Sequence, residues 1–344
     1  MIRIGLDGMG GDNAPMETVK GAVEASNRFT GEEIIYIFGD EKIISEELGK
    51  YKYDSDRIKI VHTSEVITNH DTPVKAVRRK KDSSMVVGIN QLKDEKIDVF
   101  ISAGNTGALM SGSTLIRGRI RGIDRPALAT LLPPMIGDKP LFLMDSGANS
   151  ECKPGNLLEF GVMGSVYMNK VMGVENPRVG LVNIGAEESK GNTVTKAAYE
   201  LLSQGNLNFV GNVEARQIPE SPADVIVCDG FVGNVIIKLT EGIAMAFMHI
   251  LKDKFSSGFA AKIGAALLMD KLREIKDMFD YSEYGGAPFL GVRGAVLKMH
   301  GSSNANAVKN TILKSRAYVE NNVVKTIHDE IMKIAEEAEE EETV

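Results

Sequence analysis

Residues 2–15 read IRIGLDGMGGDNAP. A short apolar run ends in Asp7, passes through Gly8, Gly10 and Gly11, and meets a proline suited to the first turn of a helix. The glycines let backbone approach backbone, or an anion, closely. This is a strand feeding a helix through a tight turn, and the same grammar repeats outward along the chain. Strand-like runs stand at 33–38 (EIIYIF), 57–61 (RIKIV), 97–102 (IDVFIS), 127–132 (ALATLL), 141–145 (LFLMD), 178–184 (RVGLVNI), 208–211 (NFVG), 224–229 (DVIVCD) and 295–299 (AVLKM). Most are near-continuously apolar, as parallel strands covered on both faces should be. Helical patterns follow many of them, for example over 14–29 and 192–203. The reading is a doubly wound, Rossmann-like α/β sheet. With no repeat and no Pro/Ser-rich linker, residues 1–330 are expected to form a single α/β domain, with a helical protrusion at about 235–280 and an acidic tail at 331–344.

Composition narrows the class. The chain has 344 residues, 43% hydrophobic and 25% charged, which excludes disordered and fibrous classes. Cys152 and Cys228 are its two cysteines, too few for a disulfide framework or a zinc site. With no signal-like segment at the N-terminus, a cytoplasmic location is expected, with no metal and no cofactor. The net charge is −7, and eight acidic residues against Lys333 after His328 account for all of it. The preceding residues are neutral, so nothing supports nucleic-acid binding.

In open α/β sheets ligands bind beyond the carboxyl ends of strands. Six such ends carry small polar loops: 7–15, 102–108 (SAGNTGA), 145–149 (DSGAN), 183–192 (NIGAEESKGN), 229–234 (DGFVGN) and 300–304 (HGSSN). Six together predict one site for a small anion. The first loop is not a dinucleotide fingerprint, because Asn13 stands where the third glycine belongs. Nor does GAEESKGNT place its lysine as a phosphate-binding P-loop does. Of the five histidines, His300 lies at such a loop and suits acid–base chemistry. Cys152 lacks neighbours that would activate its thiol.

GMGGDNAP, DTPVKAVRRKKDSSM, SAGNTGA, DSGANSECKP, NIGAEESKGN, CDGFVGN, GGAPFLGV and HGSSNANA occur in this order from the first strand to about residue 330. Together they resemble the bacterial phosphate acyltransferases. The first loop departs from the family's common pattern at Gly8 and Asn13. The resemblance implies transfer of a long fatty acyl group from the thioester of acyl carrier protein to inorganic phosphate, giving acyl phosphate for phospholipid synthesis. It also implies a fold like that of phosphotransacetylases and the isocitrate/isopropylmalate dehydrogenase group, and a homodimer. A short-chain phosphotransacylase using acyl-coenzyme A, or a non-enzymatic scaffold, are the alternatives.

Residue type and position assign roles within that frame. Asp7, Gly10, Gly11, Asp12, Ser102, Gly104, Asn105, Thr106 and Ser302 are expected to bind phosphate or substrate. Lys190 is expected to neutralise charge or stabilise an oxyanion, and Asp229, Asn234 and His300 to orient groups and handle protons. Two basic runs, Arg78, Arg79, Lys80 and Lys81, and Arg117, Arg119 and Arg121, would complement the acidic carrier protein, with the first expected to dock it. The stretch 255–269, FSSGFAAKIGAALLM, holds Lys262 as the one charge between Lys254 and Asp270. Too short to span a bilayer, it would touch a membrane through Phe259, Ile263, Leu267 and Leu268. That would place the protein at the membrane periphery, beside the glycerol-3-phosphate acyltransferase that consumes acyl phosphate.

Overall fold

The computed structural model describes residues 1–134, 136, 139–258, 263–264, 266–272 and 285–341, with side chains as far as 337. Strands β1 (Ile2–Asp7), β2 (Glu33–Gly39), β3 (Ile58–His62), β4 (Val99–Ser102), β5 (Ala127–Leu132) and β6 (Leu141–Met144) come first. They are followed by β7 (Arg178–Asn183), β8 (Asn208–Glu214), β9 (Val225–Val227), β10 (Ala287–Leu290) and β11 (Ala295–Lys298). Among the described residues they form one sheet in the order β3-β2-β1-β4-β11-β10-β5-β6-β9-β7-β8.

The apolar runs alternate faces within this sheet. Ile4 and Leu6 of β1 and Val99 and Ile101 of β4 enter one core, while Phe100 enters the core on the opposite face. Two glycines make the slot for Phe100: a Cβ at Gly88 would lie 2.0 Å from its ring and one at Gly5 3.2 Å. The first core is covered by α1 (Met16–Ser26), α6 (Pro154–Lys170), α9 (Ala305–Glu320) and α10 (Val323–Glu341). The second lies under α4 (Ser84–Lys93) and α5 (Thr106–Gly112). Burial on both faces is why these strands lack a polar edge in the sequence.

The sheet is not parallel throughout. β10 is antiparallel to both β11 and β5, and β5 is antiparallel to β6. Three reversals therefore separate β11 from β6. Strands β6, β7, β8 and β9 run opposite to β1, β2, β3, β4 and β11. The six polar loops consequently leave strands that run in two opposite directions.

Helix α8 (Gly230–Ser256) starts at the end of β9 and is rooted there. A Cβ at Gly233 would overlap the Asp145 carbonyl oxygen at 1.9 Å. Beyond this root it exposes Val235, Leu239 and Ile243, four residues apart, and then Phe247 and Ile250. By length and composition α8 could cross a membrane, although its first turn is packed on the sheet. Past it, Ile263, Leu267 and Leu268 are exposed, Leu267 to 82%; Phe259 lies outside the described residues. The acidic stretch expected as a tail from 331 continues α10 as far as Glu341, and Val323, Ile327 and Ile331 of that helix are buried.

Candidate active site

The loops after β1, β4 and β11 are stitched to one another. Asp7 is buried at the end of β1, where its carboxylate accepts from Ser102 Oγ at 2.6 Å and from the Met9 amide at 3.3 Å. The Gly104 amide donates to Ser102 Oγ at 3.0 Å. A Cβ at Gly10 would sit 2.4 Å from Asp7 Oδ2 and 2.8 Å from the Gly104 nitrogen, so only glycine fits between them. Gly11, at φ +106°, turns the chain so that the Asp12 amide donates to the Gly301 carbonyl at 2.7 Å. Asn13 Nδ2 donates to the Ser302 carbonyl at 3.2 Å.

These loops form one end of a cleft of about 1310 Å³. Asp12, Gly104, Thr106, His300, Gly301 and Ser302 line that polar end. The other wall is mainly apolar, from Leu128 and Leu131 of β5 and Ile237, Ala244, Met245 and Met248 of α8, with the ion pair of Lys238 and Glu241 among them. Ser146 and Gly147, at the end of β6, and Asn234, at the root of α8, close the cleft from the second half of the sheet.

A residue that the sequence reading passed over, Lys298, lies in this cleft. It ends β11, is buried, and lines the polar end. Its Nζ donates to the Ala103 carbonyl at 3.2 Å and to the Met299 carbonyl. An ammonium has three donors, so one remains for a ligand. Burial lowers its pKa to about 8, opposed by the attraction of Asp7 and Asp12. Burial acts the other way on Asp7 and raises its pKa, against the hydrogen bonds from Ser102, Ser84 and the backbone. The signal in the sequence was a lysine inside an apolar strand, two residues before His300.

His300 sits on the rim, exposed, with Nδ1 2.7 Å from Ser302 Oγ. The Ser302 amide donates to the same nitrogen at 3.2 Å, so in the neutral ring the proton is on Nε2. Thr106 and Asn234 line the cleft as well. Other expected residues serve the framework. Asn105 caps α5, accepting from the Ala108 amide at 2.9 Å and donating to the Thr68 and Asp71 carbonyls, which leaves its carboxamide no donor for a substrate. Asp229 caps α8 through the Val232 amide at 2.7 Å.

Lys190 does not line the cleft. It lies on the exposed loop after β7, 4.0 Å from Glu187, and β9 separates β7 from the cleft-lining β6. Among the described residues, the lysines that line the cleft are Lys298, buried at the polar end, and Lys238 of α8, paired with Glu241 at 2.8 Å. Five of the six polar loops contribute lining residues or their immediate supports, and the loop 183–192 does not.

Asp145 explains the order of the third loop. Its buried carboxylate accepts from the amides of Leu128, Gly147, Ala148 and Asn149 and from Asn149 Nδ2. Burial still raises its pKa against those bonds. Nearby Cys152 has its thiol pushed up to about 12, by burial first and then by the negative charges of Asp145 and Asp229. Such a thiol is a poor nucleophile at neutral pH.

The basic run lies on and after α3 (Pro73–Arg79), which starts at the cleft rim near Asn69 and Gly107. Arg78, Arg79 and Lys81 are exposed. Lys80 is tied down, donating to Asp71 Oδ2 at 2.7 Å and the Val66 carbonyl at 2.8 Å. This bond, with the Thr68 amide, lowers the Asp71 pKa to about 2.

An α/β sheet reversed at its centre, with a glycine-stitched cleft at the reversal, defines a class of fold shared with known phosphotransacylases. A phosphotransacetylase from Streptococcus pyogenes superposes with a TM-score of 0.61 at 17% identity, covering 93% of this chain and 94% of that one. A branched-chain phosphotransacylase from Enterococcus faecalis gives 0.54 at 12% identity, over 93% and 99%. Sequence similarity is much closer to another group. The family model described as "Fatty acid synthesis protein" matches residues 2–326. Phosphate acyltransferases from Alkaliphilus oremlandii and Caldicellulosiruptor bescii are each 51% identical to this chain, over 98% and 96% of its length and 99% and 98% of theirs. The chain belongs to the phosphate acyltransferase family and is an acyltransferase.

Proposed function

We propose that this enzyme transfers a long-chain fatty acyl group from the thioester of acyl carrier protein to inorganic phosphate, for phospholipid synthesis. The observation that carries the reading is the two-sided cleft: a buried cation and bare backbone at one end, an apolar wall of leucine, isoleucine and methionine at the other. Phosphate suits the first and an alkyl chain the second. An acetyl group would leave that wall unused.

The chemistry follows from the groups present. Phosphate rests against the third donor of Lys298 and beside Thr106, which lines the polar end of the cleft. One of its oxygens attacks the thioester carbonyl carbon, and the negative charge moves to the carbonyl oxygen. Donors fixed in place before the reaction stabilise that oxyanion without reorganising. The C–S bond then breaks, the acyl–oxygen bond is complete, and the leaving thiolate takes a proton from solvent at the open rim beside His300. No covalent acyl-enzyme is needed, in keeping with the inert Cys152.

The exposed residues of α3 support docking of an acidic carrier protein beside the cleft entrance. The apolar stripe of Val235, Leu239 and Ile243 supports self-association of two copies along α8. Sedimentation of Ile243→Glu should read a monomer; a dimer would count against that interface. Exposure of Ile263, Leu267 and Leu268 supports peripheral contact with the membrane that holds the next acyltransferase. Ile263→Asp with Leu267→Asp should abolish liposome binding and spare turnover in solution, and retained binding would refute the contact.

The reaction itself is tested by thiol release from palmitoyl-acyl carrier protein with and without phosphate, with hydroxylamine to trap acyl phosphate. Phosphate-dependent release with a trapped product is expected. Release without phosphate would make the enzyme a thioesterase. Turnover confined to acyl-coenzyme A would make it a phosphotransacylase of the coenzyme.

A further inference from the structure

At the end of β11 opposite the cleft, the fold makes a second concavity of about 1080 Å³. Five segments distant in sequence build it: Arg3 of β1, the stretch 92–98 ahead of β4, the turn 117–123 ahead of β5, the β10–β11 turn at Arg293 and Gly294, and the corner between α9 and α10. They bring Arg3, Arg117, Arg119, Arg121, Arg293 and Lys325 to one groove.

Some of this charge is balanced. Arg3 grips Asp98 with two side-chain bonds of 2.6 and 3.1 Å, Arg119 lies 3.4 Å from Asp124, and Lys325 lies 2.5 Å from Asp329. Arg117 Nη2 is 3.8 Å from Glu95, a carboxylate 79% exposed. Among the described residues, Arg121 and Arg293 have no carboxylate within salt-bridge distance. Arg293 is instead held by its backbone neighbours, with Nε donating to the Arg119 carbonyl at 2.8 Å.

One donor in the groove is left over. Arg117 Nε is buried and has no hydrogen-bond partner. A guanidinium N–H taken from water without an acceptor is costly and rare, and an anion held by the rest of the same guanidinium would offset that cost. The surrounding backbone is bare. Gly118 and Gly122 have φ of +89° and +87°, and a Cβ at Gly294 would come within 3.4 Å of Arg117 Nε and 2.9 Å of Leu92. Guanidinium groups on such a floor offer paired N–H donors in the fork geometry that matches phosphate oxygens. A protein partner would favour a flat basic face over this recess.

We infer that this groove is a second binding site, for a compact anion bearing two or more phosphate groups, separate from the cleft. Five residues of extended chain from Arg293 to Lys298 span roughly 17 Å, so a ligand of that size in the groove cannot share the residues of the cleft.

The test uses the full chain carrying Lys298→Met, which removes the cation of the cleft, and calorimetry with inorganic tripolyphosphate. Binding should persist in that protein and weaken at least tenfold when Arg121→Ala and Arg293→Ala are added. Because both arginines are exposed, the substitutions leave the fold intact; thermal melting checks this. Placed in the wild-type background, the same pair should leave thiol release unchanged. Vesicles of anionic phospholipid, run in parallel, distinguish the source of the phosphate: binding that falls with the same pair would assign it to lipid headgroups, and binding of tripolyphosphate alone to a free anion. Unaltered tripolyphosphate affinity in the arginine variant would overturn the inference. So would a preference for polyglutamate over tripolyphosphate, which would make the groove a protein-docking surface.

Discussion

Strand β11 has positive charge at both ends, and the two ends differ in kind. At its carboxyl end Lys298 is buried between β4 and β10, its ammonium already bonded to two carbonyls. At its amino end Arg293 is exposed beside other arginines that water and surface carboxylates partly satisfy. A buried charge acts at short range through a low effective dielectric, whereas an exposed one is screened within about 10 Å at ordinary salt. The first is suited to holding a reacting anion in one geometry and the second to attracting a ligand. The same contrast separates Lys298 from Lys190 and from the basic run on α3.

Substitutions that remove one cation at a time would break or sharpen that contrast. Lys298→Met should have the largest effect, lowering kcat/KM for phosphate by about 10²–10³-fold, the range for losing one preorganised donor. Steady-state kinetics of thiol release would read it. Charge reversal at Arg79 and Lys80 should act next most strongly, raising the KM for acyl carrier protein several-fold and flattening its salt dependence with kcat little altered. Most of that effect should come from Arg79, because Lys80 is already paired with Asp71. An unchanged KM would move docking elsewhere. Lys190→Ala should be smallest, within about twofold in either constant, as for an exposed lysine beside one glutamate. A large loss there would mean that the loop after β7 enters the cleft during turnover.

Much of this arrangement is legible in the sequence, and the parts that are not have physical reasons. The first loop can be read from local chemistry, because Asp7, Gly10 and Pro15 all answer constraints within a few residues. Its contacts with Ser102 and Gly301 cannot, since they depend on strands nearly 100 and 300 positions away. β10 escapes notice for a related reason: it is four residues long and contains Pro288, which cannot donate to a ladder and is unusual between two neighbours. Without β10 the reversal at the centre of the sheet is invisible. With it, β1 and β6 are seen to run in opposite directions and yet to end at one cleft, while β7, the strand before Lys190, lies farther out. Lys298 is hidden by the same ignorance of order, for a lysine after AVL reads as a solvated strand end until β4 and β10 are seen to flank it. The position of the cleft thus follows from strand order around the reversal, where loops from both halves of the sheet meet, and residue patterns do not encode that order.

The pH dependence of kcat/KM for phosphate, compared between the wild type and Lys298→Arg, tests the central claim most directly. The folded-state pKa of Lys298 is lowered to about 8, so the ammonium is present below that pH and lost as pH rises through it. Activity in the wild type should fall above about pH 8, whereas the arginine variant, less active overall, should keep its charge and show no such limb. Titration of phosphate itself is common to both proteins and cancels. An alkaline limb at the same pH in both would contradict the assignment of Lys298 as the cation that holds the reacting phosphate.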